Sequence, residues 1–323
     1  EQYKYKNSKI KNNLFKNIHK IYNKKKNNKL GLKKYLSDYR PLNKYQIKKN
    51  WFLDDDNLYK FKFKNKIFYD GEVYANIKNS KDVIIFLPGY ESQVNNIFNK
   101  MNDNQYLNSF ANELNASLIS WTWPFQGERA KKSIYLDTGS NLNVEREYSR
   151  FFNYLNTSLW REILHEYEFI LKNIVKLIGK NKKIHIIGWS MGAAFSYYSS
   201  YFLKKNITSI TSIGSCARFE DLLKFGHSKV QGFFFYPINA YNYFDLEDII
   251  YEIVNENKIN LKIICGSEDR GCLKSSINFL NQNFNKNKKF KIIIFKKHKH
   301  YFSKKIKSFL FKILKIYQYN ENY

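Results

Sequence analysis

The pattern of hydrophobic and polar positions changes at about residue 58. From there "LYKFKFKNKIFYDGEVYANI" alternates apolar and polar residues and is broken by Asp70-Gly71, which predicts a hairpin. "KDVIIFLPGYE" is nearly continuous in apolar residues, as strands buried on both faces of a parallel sheet are. Further strands are predicted at 115–124, 182–188, 207–214, 260–266 and 289–295, and helices near 105–114, 159–178 and 303–317. This alternation predicts an α/β fold with a mostly parallel central sheet and helices on both faces.

Two segments depart from this alternation. Residues 1–50 form a Lys/Asn-rich N-terminal extension with a predicted basic amphipathic helix. The apolar residues of that helix are Ile10, Leu14, Ile18 and Ile21. Residues 215–259 are rich in aromatic side chains and lack the alternation, which predicts a cap-like insertion within the α/β domain of residues 51–323.

The chain has 323 residues and a formal net charge of +27. Such an excess is typical of proteins that bind nucleic acid or anionic membranes. Lys greatly outnumbers Arg here, and Lys, Asn, Ile, Tyr and Phe share A/T-rich codons, so we interpret most of the charge as the effect of an A/T-rich genome. Nucleic acid is not expected as a partner, because arginine is preferred for bidentate phosphate and base contacts. Peripheral contact with an anionic membrane through the basic segments at 4–34 and 296–315 stays open.

The three cysteines are Cys216, Cys265 and Cys272. Their odd number, the lack of a CxxC pair and the lack of a histidine at metal-ligand spacing argue against a disulfide framework and a zinc site. We expect no metal ion and no cofactor. Free thiols are typical of a reducing compartment, and no apolar run is long enough for a transmembrane helix. A cytoplasmic location is therefore predicted.

The clearest chemical motif lies in "IHIIGWSMGAAFSYY", residues 184–198, which passes from a strand through Gly-Trp-Ser-Met-Gly into a helix. This is the sequence and the context of a GxSxG nucleophile elbow. Ser190 is the predicted nucleophile at a strained turn. Gly188 and Gly192 are expected because side chains there would collide with the adjoining helix and strand.

A serine hydroxyl needs a base to take its proton and an acid to orient that base. Asp269 follows the strand predicted at 260–266, and His298 and His300 follow the last strand, so the order Ser, acid, His is satisfied. We favour His300 over His298, because the loop must turn back toward Ser190 and "HYF" offers aromatic side chains to pack behind the imidazole.

Several alternatives stay open. Glu268 and Asp221 are alternative positions for the acid. His227, in the insertion, is a candidate substrate contact. His185 lies inside a strand, where a buried structural histidine is expected.

Taken in order, "FLPGYE", "GWSMG", "GSED" and the terminal "HYF" resemble serine hydrolases of the α/β-hydrolase superfamily over roughly residues 58–317. The resemblance implies an oxyanion hole formed by the backbone N–H groups of Met191 and Tyr90. The chain has Pro-Gly where this family often has His-Gly, which leaves open whether Tyr90 or Glu91 donates.

The resemblance also implies an activity: hydrolysis of a carboxylic ester, thioester or amide through an acyl-enzyme on Ser190, of the carboxylesterase, thioesterase or lysophospholipase type. Aromatic residues of the insertion would form an apolar cap suited to an acyl chain or a lipid-like substrate, unless they simply pack in the core. They are Phe233, Phe234, Phe235, Tyr236, Tyr241, Tyr243 and Phe244. The rival hypotheses are a non-catalytic binding protein of this fold and a binder of anionic surfaces.

Overall fold

The structure is a computed structural model that describes a central sheet and the helices packed against it. The described residues are 30–38, 41–42, 44–55, 57–68, 70–89, 95–98, 107–124, 129, 149, 152, 155, 157–179, 181–203, 206–221 and 243–319.

A nine-stranded sheet forms the centre of this part of the chain. Its strands are β1 (Gln46–Leu53), β2 (Tyr59–Lys64), β3 (Gly71–Asn76), β4 (Asp82–Leu87), β5 (Ser117–Trp121), β6 (Lys183–Trp189), β7 (Ile207–Ile213), β8 (Asn260–Gly266) and β9 (Phe290–Phe295). They lie in the order β1-β2-β3-β5-β4-β6-β7-β8-β9. β1, β2 and β3 pair antiparallel, β3 pairs antiparallel with β5, and every pair from β5 to β9 is parallel. The predicted hairpin and the mostly parallel sheet are confirmed.

Helices cover both faces of the sheet. They are α1 (Gly31–Ser37), α2 (Asn95–Phe98), α3 (Asn108–Glu113), α4 (Leu159–Ile178), α5 (Met191–Ser196), α6 (Ser199–Leu203), α7 (Leu246–Tyr251), α8 (Lys274–Phe284) and α9 (Lys304–Tyr319), and a short π-helix, Glu252–Glu256, continues α7. One face carries α1, α4, α5, α6, α7 and α8, and the other carries α2, α3 and α9. Among the described helices, none combines the length and hydropathy that crossing a bilayer requires.

The central strands are buried on both sides, which explains their continuous apolar sequences. Along β4, Ile85 packs in the core on the α4 side, whereas its neighbours Ile84 and Phe86 pack in the core on the α9 side. Successive side chains of a strand point to opposite faces. A strand covered by helices on both faces must therefore be apolar at every position.

The helix predicted at 159–178 is confirmed with the same bounds, because both ends carry capping signals. The Ser158 hydroxyl accepts a hydrogen bond from the backbone N–H of Arg161, which satisfies an N-terminal donor. Gly179, with φ of 80°, ends the helix in a conformation that favours glycine.

The described part of the predicted N-terminal extension belongs to the folded domain. β1 begins at Gln46 and pairs with β2. Helix α1 buries Leu32, Tyr35 and Leu36, and the Tyr35 hydroxyl is hydrogen-bonded to Ser158 at 3.0 Å. The amphipathic helix predicted around residues 10–21 lies outside the described residues.

The end of the predicted insertion packs in the main core. Phe244 is fully buried, with ring centroids 5.4 Å from Tyr35, 6.0 Å from Tyr198 and 5.7 Å from Phe219. The prediction that Phe244 lines a cap is therefore wrong, since its ring fills space between helices. The other predicted cap aromatics, apart from Tyr243, lie outside the described residues.

A buried ion pair connects the segment after β5 to α4. Arg129 Nη1 and Nη2 donate to the two Glu166 carboxylate oxygens at 2.6 and 2.9 Å, and both side chains are almost wholly buried. Arg129 also donates to the Thr122 carbonyl, and Asn65 donates to Glu166. This two-pronged geometry satisfies charges that would otherwise be costly to bury.

We expect Glu166→Gln to lower the free energy of unfolding by about 3–5 kcal/mol, because it removes the negative charge that both Nη atoms of the buried Arg129 bind. Urea denaturation measures this. Glu168→Gln, on the same helix, is the matched control: Glu168 pairs with Lys172, whose side chain is 63% exposed, and its loss should cost about 1 kcal/mol or less. Equal losses in the two variants would contradict the importance of the buried pair.

Candidate active site

Ser190 occupies a strained turn between β6 and α5. Its φ of 52° and ψ of −112° are rare for a residue other than glycine. The turn is held by two hydrogen bonds, from Ser190 N–H to the Ile213 carbonyl at 2.8 Å and from Ala194 N–H to the Ser190 carbonyl at 3.2 Å. Neighbouring structure thus compensates for the unfavourable backbone conformation.

The backbone leaves no room for a side chain at either motif glycine. A Cβ added to Gly188 would lie 2.6 Å from the Ala193 Cα, and one added to Gly192 would overlap the Leu87 carbonyl and lie 2.6 Å from the Pro88 oxygen. Helix α5 therefore packs directly against the ends of β4 and β6. The sequence-based prediction that side chains at 188 and 192 would collide with the adjoining helix and strand is therefore confirmed.

Three predicted side chains meet at the carboxyl ends of β6, β8 and β9. His300 Nε2 lies 2.8 Å from Ser190 Oγ, and His300 Nδ1 lies 2.7 Å from Asp269 Oδ1. The Asp269 carboxylate can only accept a hydrogen bond, so we assign the ring proton of neutral His300 to Nδ1. The lone pair is then on Nε2, which faces the serine hydroxyl. The arrangement can move the hydroxyl proton to the imidazole.

Among the three candidate acids, Asp269 is the one bonded to His300. Its Oδ1 also accepts a hydrogen bond from the Gly271 N–H at 2.7 Å, which fixes the carboxylate. Glu268 is exposed. Asp221 accepts a hydrogen bond from Ser276 Oγ at 2.8 Å and lies 3.4 Å from Arg218 Nη1, so it belongs to a different polar cluster.

The other histidines have different surroundings. His298 is buried, with Nδ1 2.7 Å from the Lys299 carbonyl and Nε2 2.9 Å from Ser303 Oγ, so both nitrogens are bonded within its own loop. His185 is buried between Asp82 and Ser209, as predicted for a structural histidine. His227 lies outside the described residues.

Trp189 is the site residue that sequence analysis missed. Its indole stacks on the His300 imidazole, with ring centroids 4.8 Å apart and planes at 25°. The expectation that Tyr301 packs behind this imidazole is wrong, because Tyr301 stacks on His298 at 4.2 Å. Phe302 instead packs against the Trp189 indole, with ring centroids 5.7 Å apart. The motif places Trp189 at the end of β6 beside Ser190, but it carries no signal for the contact with His300.

Two further glycines make room for the imidazole. A Cβ on Gly214, whose φ is 75°, would lie 3.2 Å from His300 Cε1. One on Gly271 would lie 3.1 Å from the same atom. The ring is thus enclosed by Trp189 and by two backbone segments that carry no side chain.

The expected oxyanion donors are described in part. Met191 begins α5, so its N–H has no intrahelical acceptor. Tyr90 and Glu91 lie outside the described residues. Gly89, just before them, reaches the serine: a Cβ there would lie 2.6 Å from Trp189 Cδ1 and 3.2 Å from Ser190 Cβ.

The three cysteines are buried and free, and they lie together behind the Asp269 loop. A hydrogen bond to Cys265, together with burial, raises the pKa of the Cys216 thiol well above its ordinary value. Burial raises the pKa of Cys272 to about 11. Within the described residues, no cluster of His, Cys, Asp and Glu is arranged to hold a metal ion.

These thiols should be unreactive in the folded protein. At about pH 8, only about 0.1% of a thiol with a pKa of about 11 is thiolate, the form that attacks an aromatic disulfide reagent. We expect almost no colour from the native chain and three equivalents after unfolding in guanidinium chloride. A fast-reacting native thiol would disprove this.

Two solved structures resemble the chain over most of its length. Acetyl xylan esterase 1 from Thermoanaerobacterium sp. has a TM-score of 0.50 and 15% identity, covering 90% of this chain and 96% of that one. A protein from Bacteroides fragilis, classed provisionally as an acetyl xylan esterase, has a TM-score of 0.62 and 12% identity, covering 92% and 87%. No protein-family model matches the sequence, and a search among curated proteins finds no significant match. At these identities the likeness concerns the fold.

Proposed function

We propose that this chain, which has the α/β-hydrolase fold, is a serine hydrolase that cleaves carboxylic esters through an acyl-enzyme. Ser190 is the nucleophile, His300 the general base and Asp269 the orienting acid. The observation that carries the proposal is the continuous hydrogen-bond chain from Ser190 Oγ through His300 to Asp269, with links of 2.8 and 2.7 Å.

In the first half of the reaction, His300 Nε2 takes the hydroxyl proton as Ser190 Oγ attacks the carbonyl carbon. Asp269 keeps its hydrogen bond to Nδ1–H and stabilises the imidazolium. The Met191 amide, with Tyr90 or Glu91 as second donor, stabilises the negative oxygen of the tetrahedral intermediate. The intermediate collapses as His300 returns its proton to the leaving alcohol.

In the second half, water replaces the alcohol. The oxygen of the water attacks the acyl carbon while His300 takes a proton from that water. A second tetrahedral intermediate forms. Its collapse releases the carboxylic acid and returns the proton to Ser190 Oγ. His300 is suited to both halves because its side chain is about one-third exposed, so water can reach it.

An ester is the favoured acyl substrate because both structures compared above carry esterase names. A thioester or a lysophospholipid stays a sequence-based alternative. The preference for an acyl chain now depends on the predicted cap aromatics from Phe233 to Tyr241, because Phe244 packs in the core.

The proposal predicts that a fluorophosphonate probe labels the chain and that Ser190→Ala abolishes labelling. His300→Gln should slow labelling and ester hydrolysis by about 10³-fold or more, because the hydroxyl loses its base. His298→Gln is the matched control two residues away and should keep activity within a few-fold. The measurements are probe incorporation and p-nitrophenyl ester hydrolysis over rising acyl-chain length.

A second matched pair tests the acid in the same assays. Asp269→Asn should reduce turnover severely, whereas Glu268→Gln should leave it nearly unchanged because Glu268 is exposed. Labelling that survives Ser190→Ala, or equal losses in the two histidine variants, would refute the assigned roles. Absence of labelling in the wild-type chain would support the non-catalytic alternative.

Trp189 should act as a positioning residue for His300. We expect Trp189→Leu to lower kcat by about tenfold with little change in KM, because the imidazole loses the ring that holds its plane. Trp189→Phe keeps an aromatic face and should recover most of the activity. A role in stacking would be contradicted if the Leu variant had the wild-type kcat, or if the Leu and Phe variants lost equal activity. Thermal melting of each variant shows whether it is folded.

A further inference from the structure

The C-terminal part of the chain concentrates positive charge. Residues 271–319 contain thirteen lysines and no Asp, Glu or Arg, so all 28 acidic residues lie elsewhere. Codon bias raises lysine throughout the chain, but it does not remove every carboxylate from one segment of 49 residues. The segment is therefore markedly more basic than the chain as a whole.

The structure brings many of these lysines onto one surface, which we call the lysine face. It consists of the exposed residues Lys291, Lys296, Lys297, Lys299, Lys304, Lys305, Lys312 and Lys315. β9 supplies the first of them at the edge of the sheet, the loop after β9 the next three, and the outer side of α9 the rest.

Packing joins the edge strand and the helix into one surface. Ile293 and Phe295 of β9 pack in the same core cluster as the inner side of α9. Lys305 Nζ lies 5.2 Å from the centre of the Phe295 ring. On the same side of the sheet, burial and then the charge of Lys291 lower the pKa of Lys262 to about 8. Like charges are thus close enough here to repel one another.

Apolar side chains are exposed among these lysines. Tyr301 and Ile316 are 50% and 54% exposed. Lysines interspersed with exposed apolar side chains are typical of surfaces that rest on the headgroups of a bilayer.

We propose that the lysine face docks on anionic phospholipid bilayers. The lysines pair with the headgroups, and Tyr301 and Ile316 enter the interfacial region. A bilayer fits better than nucleic acid, because the segment has no arginine for bidentate phosphate or base contacts. Because Lys299 directly precedes His300, docking brings one rim of the candidate site to the lipid surface. The docking itself does not depend on hydrolysis.

The test is sedimentation of the full chain with phosphatidylcholine vesicles that contain about 30 mol% phosphatidylserine, compared with pure phosphatidylcholine. We expect at least about tenfold stronger binding to the anionic vesicles at ~0.1 M salt, and its loss at ~0.5 M, where charges are screened. The triple variant K296E/K304E/K305E should weaken this binding by about tenfold or more.

The matched control is K44E/K49E/K64E, which changes the net charge equally on exposed lysines of the opposite edge, at β1 and β2. It should bind the anionic vesicles as wild type does. Equal losses in the two triple variants, or no preference for anionic vesicles, would overturn the proposal. So would tighter binding to a single-stranded polynucleotide that is lost in K296E/K304E/K305E alone.

Hydrolysis of a soluble p-nitrophenyl ester separates this inference from the proposed function. Both triple variants should hydrolyse it at the wild-type rate, since none of the six lysines contacts Ser190, His300 or Asp269. Ser190→Ala should bind vesicles normally. A wild-type chain that binds vesicles but hydrolyses no ester would refute the proposed function and leave the docking inference standing.

Discussion

The close contact between α5 and the end of β4 is the constraint on which the candidate site depends. Gly192 lies against the Leu87 and Pro88 backbone, so the chain must turn sharply after Trp189 and leave Ser190 with a positive φ. The parallel pairing of β4, β6 and β7 supplies the rigidity that this strained turn requires. The hydroxyl is therefore positioned by the sheet and not by a flexible loop.

The same sheet explains how residues distant in sequence meet. β6, β8 and β9 run in one direction, so the loops that carry Ser190, Asp269 and His300 leave the same end of the sheet. Once these loops are close, short contacts complete the arrangement. Trp189 contacts one face of the imidazole, and the Gly271 amide fixes the carboxylate. The direction of the strands thus brings the three residues together, and contacts from neighbouring residues fix their orientation.

Much of this arrangement follows from sequence, because its signals are local. Buried strands have continuous apolar runs, α4 carries both caps, and the elbow has its own motif. Sequence signals failed where contacts between distant parts of the chain determine the structure. β1 and α1 lie in Lys/Asn-rich sequence that resembles a solvated extension, yet Tyr35 packs beneath Ser158. The stacking of Trp189 on His300 depends on the path of two loops, which no residue pattern encodes.

The glycines around the site also restrict which substitutions the chain can accept. The chain has only 13 glycines among its 323 residues. Five of them, at 89, 188, 192, 214 and 271, border Ser190, Trp189 or His300, at positions where a methyl group would collide. An alanine at any of these positions would therefore displace backbone or ring atoms of the site. The range of residues that the site accepts is thus limited by how closely its own main chain passes Ser190 and His300.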